Sequence, residues 1–414
     1  MKILHISTGF PISFQGGITN YVRSLAESQV KNGENVWVMG GIDKTQHTFK
    51  YYEYYSKLIE PFSFRYAKDI SSLNNISKFL EKEKFDIIHI HMMLDIDLDL
   101  FKILKQYKYI ISLHDYFYLC PRITMVDTNN LVCNKYEANK CNHCISKFDL
   151  CKYTRALNNR LDQYLNFRIS IKQNVTKQRF AKLKALLEGA TYLLPVSHRV
   201  KEIYTNSDIK NNYEVLHIGN ISADKFENRI YDINSIANRK INIAMLGSLS
   251  YLKGGDLLLN IAQKINKDKY SIHFYGRSSV YKNKLKKYNI IDHGTYSQKN
   301  LSKILSNIDL GFVLSIWEDN GPQVVMEFLN NHIPVIGTKM GGIPDFVDNK
   351  NGYLFNPYNE KEFELLIDYL NNLTKEDIIT MKNNIKPTTT TQEHYIALMN
   401  IYNKVLNGDD TVEK

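Results

Sequence analysis

No run in the 414-residue chain approaches the ~20 consecutive apolar residues that a membrane-spanning helix requires. The first residues, Met1-Lys2-Ile3-Leu4-His5-Ile6-Ser7, hold neither an apolar signal core nor a small-residue cleavage site. The compartment expected is therefore the cytoplasm. Cysteine occurs only five times, and Cys120, Cys133, Cys141, Cys144 and Cys151 all fall within 32 residues. In a chain without a secretion signal this reads as reduced thiols or a metal clip, not a disulfide framework. Wholesale disorder is excluded as well, because 43% of the residues are hydrophobic and only 23% are charged. That much apolar material in 414 residues exceeds one ordinary core, so two domains are expected.

Acidic residues are scarce in one place. Between residues 152 and 184 nine basic side chains (Lys152, Arg155, Arg160, Arg168, Lys172, Lys177, Arg179, Lys182 and Lys184) face a single acid, Asp162. That is +8 of the formal net charge of +10, so the rest of the chain is nearly neutral. An anionic partner is implied: nucleic acid, a phospholipid surface or a phosphorylated substrate. Glycine and proline are missing from about Thr154 to Leu187, where Leu157, Leu161, Tyr164, Leu165 and Ile169 form the apolar stripe of a long helix.

The pattern elsewhere is strand, glycine loop, helix, strand. Lys2 to Ser7 is fit for a buried parallel strand; Gly16-Gly17 follows, then apolar residues from Ile18 to Val30 at helical spacing. Gly33 suits a helix C-cap, and Asn35 to Met39 resumes as a strand. Further strands are expected at Asp86 to His91 and Tyr109 to Leu113. The pattern restarts at Ile241 to Gly247 and continues through helix 257–265, strands 271–276 and 310–315, helix 323–331, strand 334–337 and a helix near 361–370. The fold class expected is α/β, two Rossmann-like doubly wound domains facing a cleft.

Three loops could carry chemistry. Glycines at Gly16-Gly17 let backbone amides approach a phosphate at a helix start, although a glycine pair is equally a structural turn. The spacing is not that of a dinucleotide fingerprint. Gly247 to Asp256 follows a strand directly, and its Lys253 can reach a diphosphate as a point charge; an ordinary exposed loop lysine is the plain alternative. In Trp317-Glu318-Asp319-Asn320-Gly321-Pro322-Gln323-Val324-Val325-Met326-Glu327, Pro322 suits a first helical turn whose amides at Gln323 and Val324 could meet phosphate oxygens. Glu327 lies on an otherwise apolar helix, so its carboxylate needs partners, and paired sugar hydroxyls would serve.

Together with Asp86-Ile87-Ile88-His89-Ile90-His91, Leu113-His114-Asp115-Tyr116 and Gly341-Gly342-Ile343-Pro344-Asp345, these loops stand in a familiar order. The chain resembles, almost end to end, the retaining glycosyltransferases of GT-B fold in glycosyltransferase family 4. The resemblance implies transfer of a hexose from a nucleoside diphosphate sugar with retention, without a dedicated metal, to a glycan or lipid-linked acceptor in surface polysaccharide or lipopolysaccharide assembly. It gives the catalytic places to His114, Lys253 and Asp319. Donor contacts fall on Gly16, Gly17, Ser248, Lys253, Arg277, Glu318, Asp319, Gly321, Gln323, Val324 and Glu327, with Glu327 on the ribose. His91 and Asp115 are candidate acceptor contacts, and His89 is expected to pack against the sheet. Two departures stand out: Ser248 replaces an arginine common in the family, leaving Arg277 or helix amides to meet the diphosphate, and Asp319 is shorter than the usual glutamate, with Glu318 as its alternative. These two keep a non-catalytic sugar-binding or chaperone subunit open as a rival, beside a nucleotide-sugar epimerase.

The acceptor-side domain is expected over 1–195, completed by a helix from about 392 to 414, and the donor-side domain over 196–391. UDP and GDP remain equal as donor nucleotide. Cys133, Cys141, Cys144 and Cys151 have the content of a structural zinc site, with Cys120 set aside as a small buried residue, and plain reduced thiols as the alternative. The basic segment 152–184 is expected to dock peripherally on an anionic inner membrane face and not on nucleic acid, for which it lacks a reader motif.

Overall fold

The computed structural model describes residues 1–7, 16–40, 47–53, 70–92, 98–144 and 175–408. They form two compact units, Met1–Leu216 with Tyr395–Lys414, and His217–His394. The first unit thus ends at Leu216 and not at residue 195, because β6 (Tyr192–Pro195) and α6 (His198–Asn206) complete its sheet and cover it.

In the first unit β1 (Lys2–Ile6), β2 (Asn35–Gly40), β3 (Lys50–Glu53), β4 (Ile87–Ile90), β5 (Tyr109–Leu113) and β6 pair in parallel in the order β3-β2-β1-β4-β5-β6. The central strands β4 and β5 are buried at every position, as expected of parallel strands with helices on both faces. The connections are α1 (Gly17–Lys31), α2 (Ile70–Glu83), α3 (Leu100–Leu104), a helical segment over 138–144 (α4) and α5 (Val175–Gly189). The amino half of the long helix expected at 154–187 lies outside the described residues. In its described half the basic side chains do not form one free cationic face. Arg179 is buried, 4% exposed, with its guanidinium over the Phe117 ring and donating to the Phe117 carbonyl. Lys182 pairs with Asp99, Lys184 with Asp208, and Lys177 stays exposed.

The second unit repeats the topology. β7 (Ile241–Ser248), β8 (Tyr270–Arg277), β9 (Ile291–Asp292), β10 (Leu310–Val313), β11 (Val335–Thr338) and β12 (Gly352–Phe355) run parallel in the order β12-β11-β10-β7-β8-β9. The helices are α7 (Gly255–Lys264), α8 (Lys282–Lys287), α9 (Leu301–Leu305), α10 (Gln323–Leu329), α11 (Glu360–Asn372) and α12 (Lys375–Asn384). One apolar layer joins Leu258, Ile261, Phe274, Phe312 and Leu366; the other joins Ala244, Val325, Phe328 and Ile343. At the amino end of β10 the fully buried Asp309 accepts from both terminal nitrogens of Arg239 and from the Asn242 amide, with the buried Lys382 ammonium 3.9 Å away. Burial lowers the Lys382 pKa, against the pull of Asp309.

The last helix, α13 (Thr391–Asn407), belongs to the first unit from Tyr395 onward. Its Tyr402 is buried with its hydroxyl 2.7 Å from His89 Nδ1, and Lys108 donates to its last carbonyls at Val405 and Leu406. The cation there also suits the negative end of the helix.

Candidate active site

In doubly wound sheets ligands bind beyond the carboxyl ends of the strands where the strand order reverses. In the second unit that point lies between β7 and β10. The chain leaving β7 turns at Gly254, whose φ of +78° and whose position, with a Cβ 2.0 Å from the Leu314 carbonyl, admit only glycine. This presses Lys253 against the exit of β10, where its ammonium donates to Asp319 and lies 5.3 Å from the centre of the Trp317 ring. Ser315 Oγ donates to the same Asp319 oxygen at 2.8 Å, and Ile316 N donates to Leu252 O at 2.9 Å. The two loops are thus bound to each other by charge and by backbone.

Gly341 and Gly342 clasp this assembly from the end of β11. Gly341 N donates to the buried Glu318 carboxylate (2.8 Å) and Gly342 N to Asp319 O (2.7 Å). Gly341 has φ +56°, and a Cβ there would lie 2.0 Å from Asp319 O. Both acids therefore keep neighbouring groups in place, Asp319 the Lys253 ammonium and Glu318 the glycine turn. Pro322 is the N-cap of α10, one residue ahead of the expected first turn, and Gln323 and Val324 open the helix, half-buried. Glu327 is buried, 6% exposed. Burial first, and then the Glu327 charge, push the Tyr296 phenol up to about 12. Ser248 and Arg277 end adjacent strands as register partners and are both exposed. Gly321 is half-buried in the approach to α10.

The corresponding point of the first unit, between β1 and β4, holds a chain of histidines. Gln29 Oε1 lies 2.6 Å from His5 Nε2, His5 Nδ1 lies 2.9 Å from His91 Nε2, and His91 Nδ1 lies 3.1 Å from His114 Nε2. Burial drives the His5 pKa down to about 4, against the raising effect of Gln29, so this ring is neutral at pH 7. An amide oxygen only accepts, so the neutral His5 carries its proton on Nε2 and accepts at Nδ1 from His91. Tyr21 packs edge-on against the His114 ring, with centroids 4.9 Å apart.

His5, His89 and His91 offer ring nitrogens within 4.8 Å of one another. They are already engaged, His5 with His91 and Gln29, His89 with Tyr402 and Ser112 at 2.7 Å each, which leaves the group as a hydrogen-bonded core and not a metal site. Asp115 accepts from the Phe117 amide (2.9 Å), and its charge adds to the burial that raises Tyr118 and Tyr204. Gly16 is the N-cap of α1 with extended backbone and open space around its Cα, and Gly17 begins the helix, exposed. The preceding residues 8–15 lie outside the described residues. Cys151 does too, while Cys120 shares a pocket with Cys133, Cys141 and Cys144.

Sequence reasoning missed Ser315, Tyr296, His5 and Gln29. The signal for His5 was present, since a histidine within a buried strand requires partners. Ser315 and Tyr296 carried none, because their partners are distant in sequence.

Comparison with known proteins agrees with this architecture. The family described as Glycosyltransferase Family 4 matches residues 15–219, and that described as Glycosyl transferases group 1 matches residues 227–386. The uncharacterized 41.2 kDa protein in the cps region of Klebsiella pneumoniae is 30% identical over 126 residues, 30% of this chain and 35% of that protein. Glycogen synthase of Clostridium beijerinckii is 27% identical over 187 residues, 36% of this chain and 38% of that enzyme. The chain thus spans little more than a third of the length of these curated relatives. Among solved structures, sucrose-phosphate synthase from Thermosynechococcus elongatus superposes with a TM-score of 0.66 at 15% identity, over 98% of this chain and 99% of that one. Anabaena HepE in complex with UDP gives 0.64 at 13% identity over the whole of both chains. At such identities the structural likeness is one of fold. The two family matches and the paired doubly wound sheets together make the chain a glycosyltransferase of GT-B fold and of the family 4 kind.

Proposed function

We propose that the protein moves a hexose, with retention, from a nucleoside diphosphate sugar to a glycan or lipid-linked acceptor in surface polysaccharide or lipopolysaccharide assembly, with no metal in the catalytic step. The observation that carries this reading is the Lys253–Asp319 pair at the carboxyl ends of β7 and β10, together with the buried carboxylate of Glu327 on the following α10. A leaving diphosphate gains negative charge as the bond to the sugar breaks. A fixed ammonium at that point stabilises it, and one well-placed group of this kind is worth ~3–4 kcal/mol. Arg277 and Ser248 supply further diphosphate contacts, with the amides of Gln323 and Val324 and the turn at Gly321. Glu327 accepts from the ribose hydroxyls. Asp319 and Glu318 face the transferred sugar through the loop they also hold in place.

On the acceptor side the reading uses Gly16 and Gly17 near the diphosphate, His114 near the reacting centre, and His91 and Asp115 as acceptor contacts. UDP is the nucleotide to try first, since HepE forms complexes with UDP and with UDP-glucose, and the cps-region relative favours a polysaccharide context. No helix among the described residues is long and apolar enough to cross a membrane. We place the protein in the cytoplasm and peripherally on an anionic inner membrane face, through Lys152, Arg155, Arg160, Arg168 and Lys172. Each such residue contributes ~1 kcal/mol near the surface.

The test is release of nucleoside diphosphate from a panel of UDP- and GDP-hexoses by the wild type and by Lys253→Ala. Turnover on one donor that falls about a hundredfold or more in the variant supports the reading. Absence of turnover on every donor, with or without glycan acceptors, would favour the non-catalytic subunit.

A further inference from the structure

Four cysteines from three stretches of the first unit line one pocket. Cys120 closes the turn after β5, with its amide on Tyr116 O (2.7 Å). Cys133 follows the antiparallel bridge between Val126 and Val132, with its amide on Met125 O (2.7 Å). Cys141 and Cys144 lie one turn apart on α4, so both thiols leave the same helix face. The spacing, Cys-x12-Cys-x7-Cys-x2-Cys, supplies one tight pair and two more distant members, enough thiols for a tetrahedral site. No disulfide joins these four cysteines.

The surroundings of the pocket are cationic. Arg122 and Lys140 line it; Arg122 Nη1 donates to Cys144 Sγ at 3.5 Å, and Lys140 reaches the Cys133 thiol while pairing with Asp127 at 3.3 Å. Arg179 is the more telling residue. It is buried, its Nε has no hydrogen-bond partner among the described residues, and the groups that support its charge are the thiols of Cys120 and Cys141 with the phenols of Tyr204 and Tyr136. A buried guanidinium requires an anion. Neutral thiols and phenols do not supply one. Four thiolates around a divalent ion, or around a cluster, leave a net negative charge that these cations would meet. A bound metal also draws the protons off its thiol ligands.

We propose that Cys120, Cys133, Cys141 and Cys144 form a tetrathiolate centre for a thiophilic metal, which fastens the turn after β5, the 126–132 bridge and α4 to one another. Cys120 replaces Cys151 in the set expected from spacing alone. Two occupants share this chemistry, a single zinc ion and an iron–sulfur cluster. Zinc–sulfur bonds of ~2.3 Å in a tetrahedron put the sulfurs ~3.8 Å apart. Among the described residues no three of these sulfurs lie within 4.8 Å of one another, so a single ion would draw the three stretches closer, while a cluster spans a wider set.

The experiment is metal and sulfide analysis of the full chain, purified anaerobically without a histidine tag, alongside Cys120→Ser and Cys151→Ser. The expected result is about one zinc per wild-type chain, or stoichiometric iron with matching sulfide and visible charge-transfer absorption. Cys120→Ser should lose at least about fivefold of that content, and Cys151→Ser should keep it. If Cys120→Ser fails to fold, the wild type still decides, through zinc or iron released when a mercurial titrates its thiols. Less than about a tenth of an equivalent of either metal in the wild type, with all thiols freely titratable, would overturn the proposal. Metal lost on Cys151→Ser and retained on Cys120→Ser would overturn the ligand set.

Discussion

Replacing Gly341 by alanine should disable the site without touching any group that meets a substrate. Gly341 has φ +56°, where an alanine costs ~1–2 kcal/mol. Its Cβ would also stand 2.0 Å from the carbonyl oxygen and 2.3 Å from the amide nitrogen of Asp319, both backbone atoms that cannot rotate away. Relief to ordinary contact requires the Asp319 peptide to move by ~1 Å, which breaks the bonds from Gly341 N to Glu318 and from Gly342 N to Asp319 O. A misplacement of ~1 Å at a catalytic group typically costs about a hundredfold in rate. Gly33→Ala is the control, since Gly33 also has positive φ (+91°) but open space around its Cα, so it carries the backbone cost without the clash. Denaturant unfolding and donor turnover of the two variants separate the contributions. We expect Gly341→Ala to lose about 2–4 kcal/mol more than Gly33→Ala and to fall about a hundredfold in turnover. Equal stability losses with unchanged turnover in Gly341→Ala would refute the idea that this turn clasps the acid loop.

Lys253→Ala should retain its fold and lose about two orders of magnitude in turnover; near wild-type rates would remove the ammonium from the reaction. Asp309→Ala should destabilise the second unit by about 3–5 kcal/mol in denaturant unfolding, since it leaves the Lys382 ammonium buried without its carboxylate. A loss under about 1 kcal/mol would show that Arg239 and Lys382 are relieved by other means. His5 adds a pH dependence. Its folded pKa near 4 lies below the unfolded value of ~6.5, so the unfolded chain binds a proton that the native ring refuses. Its contribution is complete above pH ~6.5 and is lost as the pH falls towards 4, by up to ~3 kcal/mol. The urea midpoint of His5→Asn should fall less steeply over that range than that of the wild type, and parallel profiles would contradict the burial of a neutral ring.

The two doubly wound units were legible because loops of interest leave short, mostly apolar strands, as at Ile241–Leu246 and Ile87–Ile90. The short strands β3, β9 and β12 were not, because strands of two to four residues at or near a sheet edge carry too little pattern. The domain boundary expected at 195 falls short of Leu216 because β6 is the last strand of its sheet and α6 still covers it. In the site, Lys253, Asp319 and Glu327 stood out through local spacing. Their supports did not, since Gly341 reaches Glu318 and Asp319 across 22 or more residues, and Gln29 reaches His5 across 24. The basic segment shows the opposite failure. Arg179 counted as surface charge in the sequence, and only packing reveals it over Phe117.

The most direct test of the account is calorimetric titration of UDP and GDP, in parallel, into the wild type and Glu327→Ala. The account predicts that one nucleotide binds the wild type and that the variant loses at least about tenfold in affinity, as expected from removing a hydrogen-bond acceptor of full charge worth ~1.5–3 kcal/mol. Failure of both nucleotides to bind, or equal affinity in the variant, would contradict the assignment of Glu327 and with it the nucleotide site at β7 and β10.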